Sequence, residues 1–170
     1  MKSFTVPALG SLIAVMSAWL ATIALSGCGF QLQGVAQMPE GVERIHLATE
    51  DYLTPFAVEM REAIERSGAV MSTTAEAADV VLRIDRDRMG RQVLSVSATN
   101  TPQEYEIFYW VDYAIYRDGE PVVPVQRLEM WRTISFSNDE LLAKSREQDI
   151  LHEAMARDIA DLVLRKLEAL

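Results

Sequence analysis

The hydrophobic and polar pattern of this chain predicts four β-strands: two segments alternate, one is a short β-branched apolar run, and the longest has apolar residues on both faces. The four segments are 43–47, 80–84, 105–116 and 127–136. The charged residues 86–91 follow the second segment, either as an extension of that strand or as its turn. Asp118 and Gly119 separate the last two segments and are typical of a hairpin turn, so these two strands are expected to pair.

Two further segments carry the three- and four-residue spacing of amphipathic helices. The first begins with Thr54 and Pro55, a favourable N-cap and first-turn pair, and ends before Gly68. The second begins near Ser137 or Asn138 and continues to the end of the chain without Pro or Gly. Its predicted core stripe consists of Ile150, Leu151, Ala154, Met155, Ile159, Leu162, Val163 and Leu167.

The order β, α, β, β, β, α predicts an α+β fold. We expect two helices packed on one face of a mixed, about four-stranded sheet, which gives a two-layer sandwich. The other face of the sheet is aromatic and has no predicted cover, which is more apolar surface than a lone monomer needs to expose. We therefore expect this face to contact a partner through Phe108, Trp110, Tyr116 and Trp131.

The N-terminal segment 6–25 is apolar and uncharged, follows a single basic residue, Lys2, and ends in the run Leu25-Ser26-Gly27-Cys28. It resembles a bacterial lipoprotein signal peptide with its lipobox. Two other interpretations stay open. A run of about 20 apolar residues is long enough for an uncleaved membrane anchor, and the match is also compatible with a secreted protein that carries no lipid.

The lipoprotein resemblance implies three things about the chain. Residues 1–27 would be removed as the signal peptide, and Cys28 would be acylated and become the first residue. Because Gly29 stands where an aspartate would signal inner-membrane retention, the expected location is the outer membrane, on its periplasmic side. A lipidated N-terminus and tether, 28–42, would then precede a single α+β domain, 43–170.

Charge and cysteine content exclude several classes of function. The formal net charge is −9, which disfavours general binding to nucleic acid or anionic surfaces. Cys28 is the only cysteine, so disulfides within the chain and cysteine-ligated zinc are excluded. We expect no metal and no cofactor.

The sequence offers little for catalysis. His46 and His152 are far apart, and no HExxH, GxSxG or glycine-rich phosphate loop is present. Each histidine is interpreted as a surface or core residue. Asp85 and Asp87 are two apart on a strand and would share a face, but the neighbouring arginines favour a solvated edge of ion pairs over a catalytic carboxylate pair. We therefore predict that the protein is not an enzyme.

Arginines are concentrated at one point of this acidic chain. The cluster consists of Arg83, Arg86, Arg88 and Arg91. The planar guanidinium group suits bidentate binding of phosphate and carboxylate oxygens, although a run of charge at the end of a strand also protects an edge. Lys144 and Arg146 would reach the same ligand if the last helix begins beside this strand.

Several stretches together resemble the LptE family of lipopolysaccharide-assembly outer-membrane lipoproteins. They are the lipobox and its continuation 28–34, the start of the long strand at 103–105, the tail 143–150 and the closing helix 158–167. The resemblance implies a non-catalytic protein that plugs the LptD β-barrel, helps it to assemble and binds lipopolysaccharide.

The resemblance also implies lipopolysaccharide contacts at Lys144 and in the loop 97–102. This loop has no basic residue here, so Arg91 is our substitute. The binding residues that we predict are Arg86, Arg88, Arg91, Lys144 and Arg146.

Two alternatives differ in class. One is a stand-alone periplasm-facing lipoprotein that binds a lipid or a peptide, using the same sheet face as a pocket wall. A discrete cavity would favour it. The other is a lipid-anchored hydrolase, which would require a pair of carboxylates in a cleft.

Overall fold

The computed structural model of the protein describes residues 38–135 and 141–170, and the side chains of the second segment from residue 145 onward. Cys28, the tether up to residue 37 and the predicted caps Ser137 and Asn138 lie outside the described residues. The elements are β1 (Arg44–Ala48), α1 (Pro55–Arg66), β2 (Val70–Met71), β3 (Val80–Val96), β4 (Pro102–Arg117), β5 (Glu120–Ser135) and α2 (Leu141–Glu168).

The five strands form one open mixed sheet in the order β2-β1-β3-β4-β5. Strand β1 runs parallel to β2 and β3, and the other neighbours are antiparallel. The α+β prediction is confirmed, with one strand more than expected. That strand, β2, has two residues paired to Arg44 and Ile45, which is too short for an alternation to reveal.

Both helices cover the same face of the sheet, which we call the inner face. Phe56, Met60 and Ile64 of α1 are fully buried there, as the helical spacing predicted. Strand β4 contributes its odd-numbered residues, among them Tyr109 and Tyr113. Each fully buried large apolar side chain stabilises the fold by about 1.5–3 kcal/mol relative to an exposed one.

The predicted stripe on α2 is only partly correct. Met155, Ile159, Val163 and Leu167 are buried, but Ile150 is 64% exposed, Leu162 is 37% exposed and Ala154 is also exposed. Gln148 and His152 of this part of α2 form hydrogen bonds with residues of β3. Ile150 lies more than half a turn from each of them and therefore points away from the sheet.

An ion pair joins the two helices. Arg157 of α2 donates two hydrogen bonds, of 3.0 and 2.8 Å, to the carboxylate of Glu59 on α1. Glu59 is only 9% exposed, so this pairing supplies the partners that its buried charge requires. The pair fixes α2 beside α1.

Candidate functional site

The face of the sheet opposite the helices, which we call the outer face, carries the four predicted partner residues. Phe108, Trp110 and Tyr116 are even-numbered residues of β4, and Trp131 of β5 pairs with Phe108, so all four point to this side. The rings of Phe108 and Trp131 are 5.4 Å apart and tilted by 47°. We call these four residues the aromatic surface.

Gly90 makes room for the ring of Phe108. The two residues pair across β3 and β4, and a Cβ atom built on Gly90 would lie only 2.7 Å from Cζ of Phe108. The ring therefore lies over the bare backbone of the glycine, as aromatic side chains do beside glycines in sheets. A side chain at position 90 would displace it.

Arginines lie over two other rings of the aromatic surface. The guanidinium carbon of Arg127 is 4.0 Å from the ring centre of Trp110, and that of Arg83 is 4.7 Å from the ring centre of Tyr116. Arg127 also binds both carboxylate oxygens of Asp112, at 2.7 and 2.9 Å. This pairing holds the pKa of Asp112 below its usual range. The outer face thus combines flat rings with fixed positive charge.

A β-bulge determines which residues of the predicted arginine cluster lie on the outer face. The register between β3 and β4 shifts between Ile84 and Arg86, so Arg86 pairs with Asp112 and Arg88 with Trp110, both on the outer face. A bulge inserts one residue and turns the residues after it to the opposite face. Arg86 and Arg88 are exposed beside the aromatic surface.

Arg91 lies on the inner side of the sheet, away from the other two arginines. Its Nη1 donates a hydrogen bond of 3.1 Å to Oε1 of Gln148 on α2, and its guanidinium carbon is 4.8 Å from the ring centre of Tyr105. The early part of α2 therefore does lie beside β3. Arg146 is exposed on that part of α2, whereas the side chain of Lys144 lies outside the described residues.

The two acidic residues of this strand do not share a face, because the bulge separates them. Nε of Arg83 lies 2.8 Å from Oδ1 of Asp85, and this ion pair agrees with the predicted solvated edge. Asp87 instead points to the inner face, where burial raises the pKa of its carboxyl group. The prediction of a solvated edge is therefore wrong for Asp87.

The sequence did not reveal a polar network at the start of α1. The hydroxyls of Thr54 and Tyr109 lie there beside the carboxyl group of Asp87 and oppose the effect of burial on its pKa, while its Oδ2 has no hydrogen-bond partner among the described residues. Those two oxygens in turn accept from backbone N–H groups of α1, Thr54 from Ala57 at 3.2 Å and Tyr109 from Phe56 at 3.1 Å. The network satisfies two free donors of the helix and joins them to the sheet.

Both histidines have structural positions. His152 is 5% exposed, and its Nε2 donates a hydrogen bond of 3.2 Å to the carbonyl oxygen of Gly90. Nδ1 of His46 lies 3.0 Å from the carbonyl oxygen of Ser72, to which it donates. This agrees with the interpretation of each as a surface or core residue.

A cavity of about 480 Å³ lies at one end of the outer face. Its lining includes Val81, Arg83, Tyr116, Asp118 and Gly119. It opens to solvent and extends the outer face, so it differs from the enclosed pocket that a stand-alone lipid-binding protein would use.

None of the helices among residues 38–135 and 141–170 is both long and apolar enough to span a membrane.

Solved structures place this fold in a class of small lipoprotein domains. The chain is similar to lipoprotein B from Nitrosomonas europaea, with a TM-score of 0.69, 24% identity and coverage of 83% of this chain and 91% of that one. It is also similar to rare lipoprotein B from Shewanella oneidensis, with a TM-score of 0.65, 26% identity and coverage of 74% and 94%.

Sequence comparison identifies the family. The family model for LptE, lipopolysaccharide-assembly, matches residues 42–167, and the chain belongs to this family. It is 28% identical over 149 residues to the LPS-assembly lipoprotein LptE of Pectobacterium atrosepticum, covering 87% of this chain and 80% of the relative. The corresponding protein of Yersinia enterocolitica is 26% identical, with coverage of 87% and 72%. The chain is thereby assigned to the lipoproteins of lipopolysaccharide assembly.

Proposed function

We propose that the protein is a non-catalytic outer-membrane lipoprotein that plugs an LptD-type β-barrel, assists the assembly of that barrel and binds lipopolysaccharide during its insertion into the outer leaflet. The observation that carries this proposal is the outer face, where no helix or strand of the described residues packs on the aromatic surface. Family membership supports the proposal, because it assigns the chain to lipopolysaccharide assembly.

The barrel would contact the aromatic surface. Phe108 and Trp110 are half-buried and Trp131 is 40% exposed, so the surface retains contact area that a barrel wall can cover. Aromatic residues with arginines beside them are the side chains most enriched in the centres of protein interfaces. The helices bury the inner face already, and this leaves the outer face as the larger apolar surface for a partner.

Lipopolysaccharide would be bound through the exposed cations at Arg86 and Arg88, with Arg91, Lys144 and Arg146 near the start of α2. Guanidinium groups match phosphate oxygens bidentately. These cations would compete with the divalent ions that bridge lipopolysaccharide phosphates and would so loosen its aggregates. Because the whole chain carries a net charge of −9, only such a local concentration of positive charge can attract an anionic ligand.

The N-terminus would position the domain. Acylation of Cys28 would anchor the mature N-terminus in the inner leaflet of the outer membrane, and the tether 28–42 would present the domain 43–170 to the barrel in two dimensions. Each buried methylene adds about 0.8 kcal/mol, and one acyl chain alone is marginal, so several chains make the anchor stable. Mass determination of the mature N-terminal peptide tests this step. A peptide that begins at Met1, or an unmodified Cys28, would contradict it.

Co-purification tests the complex. The tagged protein is extracted from membranes in mild detergent, and the mass of each co-purified protein is determined. We expect one large β-barrel protein in equal amount. The double variant Phe108→Ala/Trp131→Ala should lower its recovery, whereas Ile150→Ala, which truncates an exposed apolar residue on α2, should not. Recovery of a lone acylated monomer from wild type would overturn the proposal.

A further inference from the structure

The strand β5 is the last strand of the sheet, and it pairs only with β4. In a strand, the N–H and C=O groups of successive residues point alternately to the two sides. Half of the main-chain groups of β5 therefore point away from the sheet. No described strand or loop forms backbone hydrogen bonds with them. Such a row of free donors and acceptors is a template for another strand.

Other edges of this sheet carry features that prevent strand addition. The first part of β5 contains Pro121 and Pro124, and the register between β4 and β5 shifts in the same region. Strand β3 extends beyond the short β1, and its free part has bulges near residues 85 and 94. Proline and bulges are the devices by which proteins protect sheet edges.

The second part of β5 has none of these features. Residues 126–135, which we call the edge segment, pair with β4 without any shift, from Gln126 with Tyr113 to Ser135 with Glu104. The segment contains no Pro and no Gly. Its ten residues span roughly 33 Å, which is long enough for a full added strand.

We propose that the edge segment is a strand-addition site, where an extended segment of the barrel partner pairs with β5. This inference rests on the proposed function. The occupant must be a main chain, because only a main chain satisfies a row of alternating donors and acceptors. It should alternate in character, since Leu128 and Met130 are half-buried on the inner side, while Arg127, Glu129 and Thr133 are exposed on the outer side. The net charge of −9 disfavours a second copy of this chain as the occupant.

Hydrogen exchange with single-residue resolution tests the site, using the full lipoprotein alone and in its complex with the barrel. Alone, every second amide of the edge segment should exchange fast. In the complex these amides should slow by on the order of a hundredfold. The amides of β2, on the other edge of the sheet, serve as the internal control and should not change.

The outcomes separate this inference from the proposed function. A complex that forms while the edge amides keep their rates would overturn strand addition and leave the plug intact. Failure to form any complex would overturn both. If the isolated lipoprotein already dimerises and its edge amides are slow, the occupant is a second copy, and the assignment to the barrel is wrong.

A proline variant provides an independent test. Of the two neighbours Arg132 and Thr133, one directs its N–H to β4 and the other directs it outward, and the exchange rates identify which. Proline at the outward position should weaken binding of the barrel at least about tenfold with little change in the unfolding temperature, because the lost donor serves only the partner. Alanine at the same position keeps the N–H group and should bind normally. Equal binding of the two variants would contradict the proposal.

Discussion

At the scale of single residues, Asp87 makes its own contribution to the pH dependence of stability. Burial raises the pKa of its carboxyl group above the value in the unfolded chain. Ionisation of Asp87 therefore lowers the free energy of unfolding. This loss is absent below the pKa of the unfolded state, grows as the pH rises from that pKa to the pKa of the folded state, and is constant above both.

The variant Asp87→Asn should remove this dependence. We expect the free energy of unfolding of the variant, relative to wild type, to increase as the pH rises from about 3 to neutral, because only wild type then acquires a buried charge. Urea unfolding at several pH values measures it. Asp85→Asn is the control, since Asp85 is exposed and paired with Arg83. If the difference in unfolding free energy between Asp87→Asn and wild type did not change with pH, the raised pKa of Asp87 would be contradicted.

Gly90 decides the position of the ring of Phe108. In Gly90→Ala, the new methyl group would lie within 3 Å of that ring and displace it, since the ring can turn away whereas the strand cannot. We expect a change in stability of about 1 kcal/mol or less, but an altered tryptophan fluorescence, because Phe108 packs against Trp131. Gln92→Ala, at the next outward position of β3, is the control. An unchanged spectrum would show that Phe108 does not depend on this glycine.

Strands β4 and β3 differ in how far the sequence predicts the faces of their residues. The alternation predicted both faces of β4 correctly, because an unbroken strand keeps a period of two. It could not predict the bulge near Asp85, which depends on pairing with β4 and leaves no local signal. That one insertion placed Arg86 and Arg88 on the outer face with Arg83, and it turned Asp87 toward the helices.

At the scale of elements, the start of α1 depends on the hydroxyl of Thr54. The hydroxyl oxygen accepts from the N–H of Ala57, and the hydroxyl lies beside the carboxyl group of Asp87. Thr54→Ala should lower the free energy of unfolding by about 1 kcal/mol, because a capping oxygen is lost. Chemical denaturation measures it. Thr54→Ser retains the hydroxyl and should recover most of the loss; if it does not, the methyl group is what matters.

Elements with a long pattern were predictable, and short ones were not. Helix α1 has its N-cap, first-turn proline and apolar spacing in one local run, so its position followed from sequence. The two-residue strand β2 exists because β1 offers a parallel partner, which is a tertiary cause. On α2, the exposure of Ile150 depends on which side of this long helix meets β3. Periodicity alone predicts the rotation of the helix about its axis only to within about one residue.

At the scale of the whole molecule, an acidic domain presents local positive charge on one face. The net charge is −9, yet Arg83, Arg86, Arg88 and Arg127 are all placed on the outer face, and of these Arg83 and Arg127 are partly neutralised by carboxylates. Arg86 and Arg88 carry no ion pair within the described part of the chain. The long-range field therefore repels anions, while the short-range field at these two residues attracts them.

The double variant Arg86→Glu/Arg88→Glu should consequently weaken binding of purified lipopolysaccharide about tenfold or more, equivalent to about 1.4 kcal/mol. Its control is Arg165→Glu/Lys166→Glu, which changes the net charge equally but lies in the last turn of α2. If repulsion by the whole molecule limits binding, both variants weaken it equally, whereas if the outer face binds phosphate, only the first does.

Arg91→Glu should have a smaller effect than reversal at Arg88, because Gln148 and Tyr105 already engage Arg91 on the inner side. Binding is measured at two salt concentrations, and the loss in the first variant should shrink at the higher one, since salt screens exposed charge.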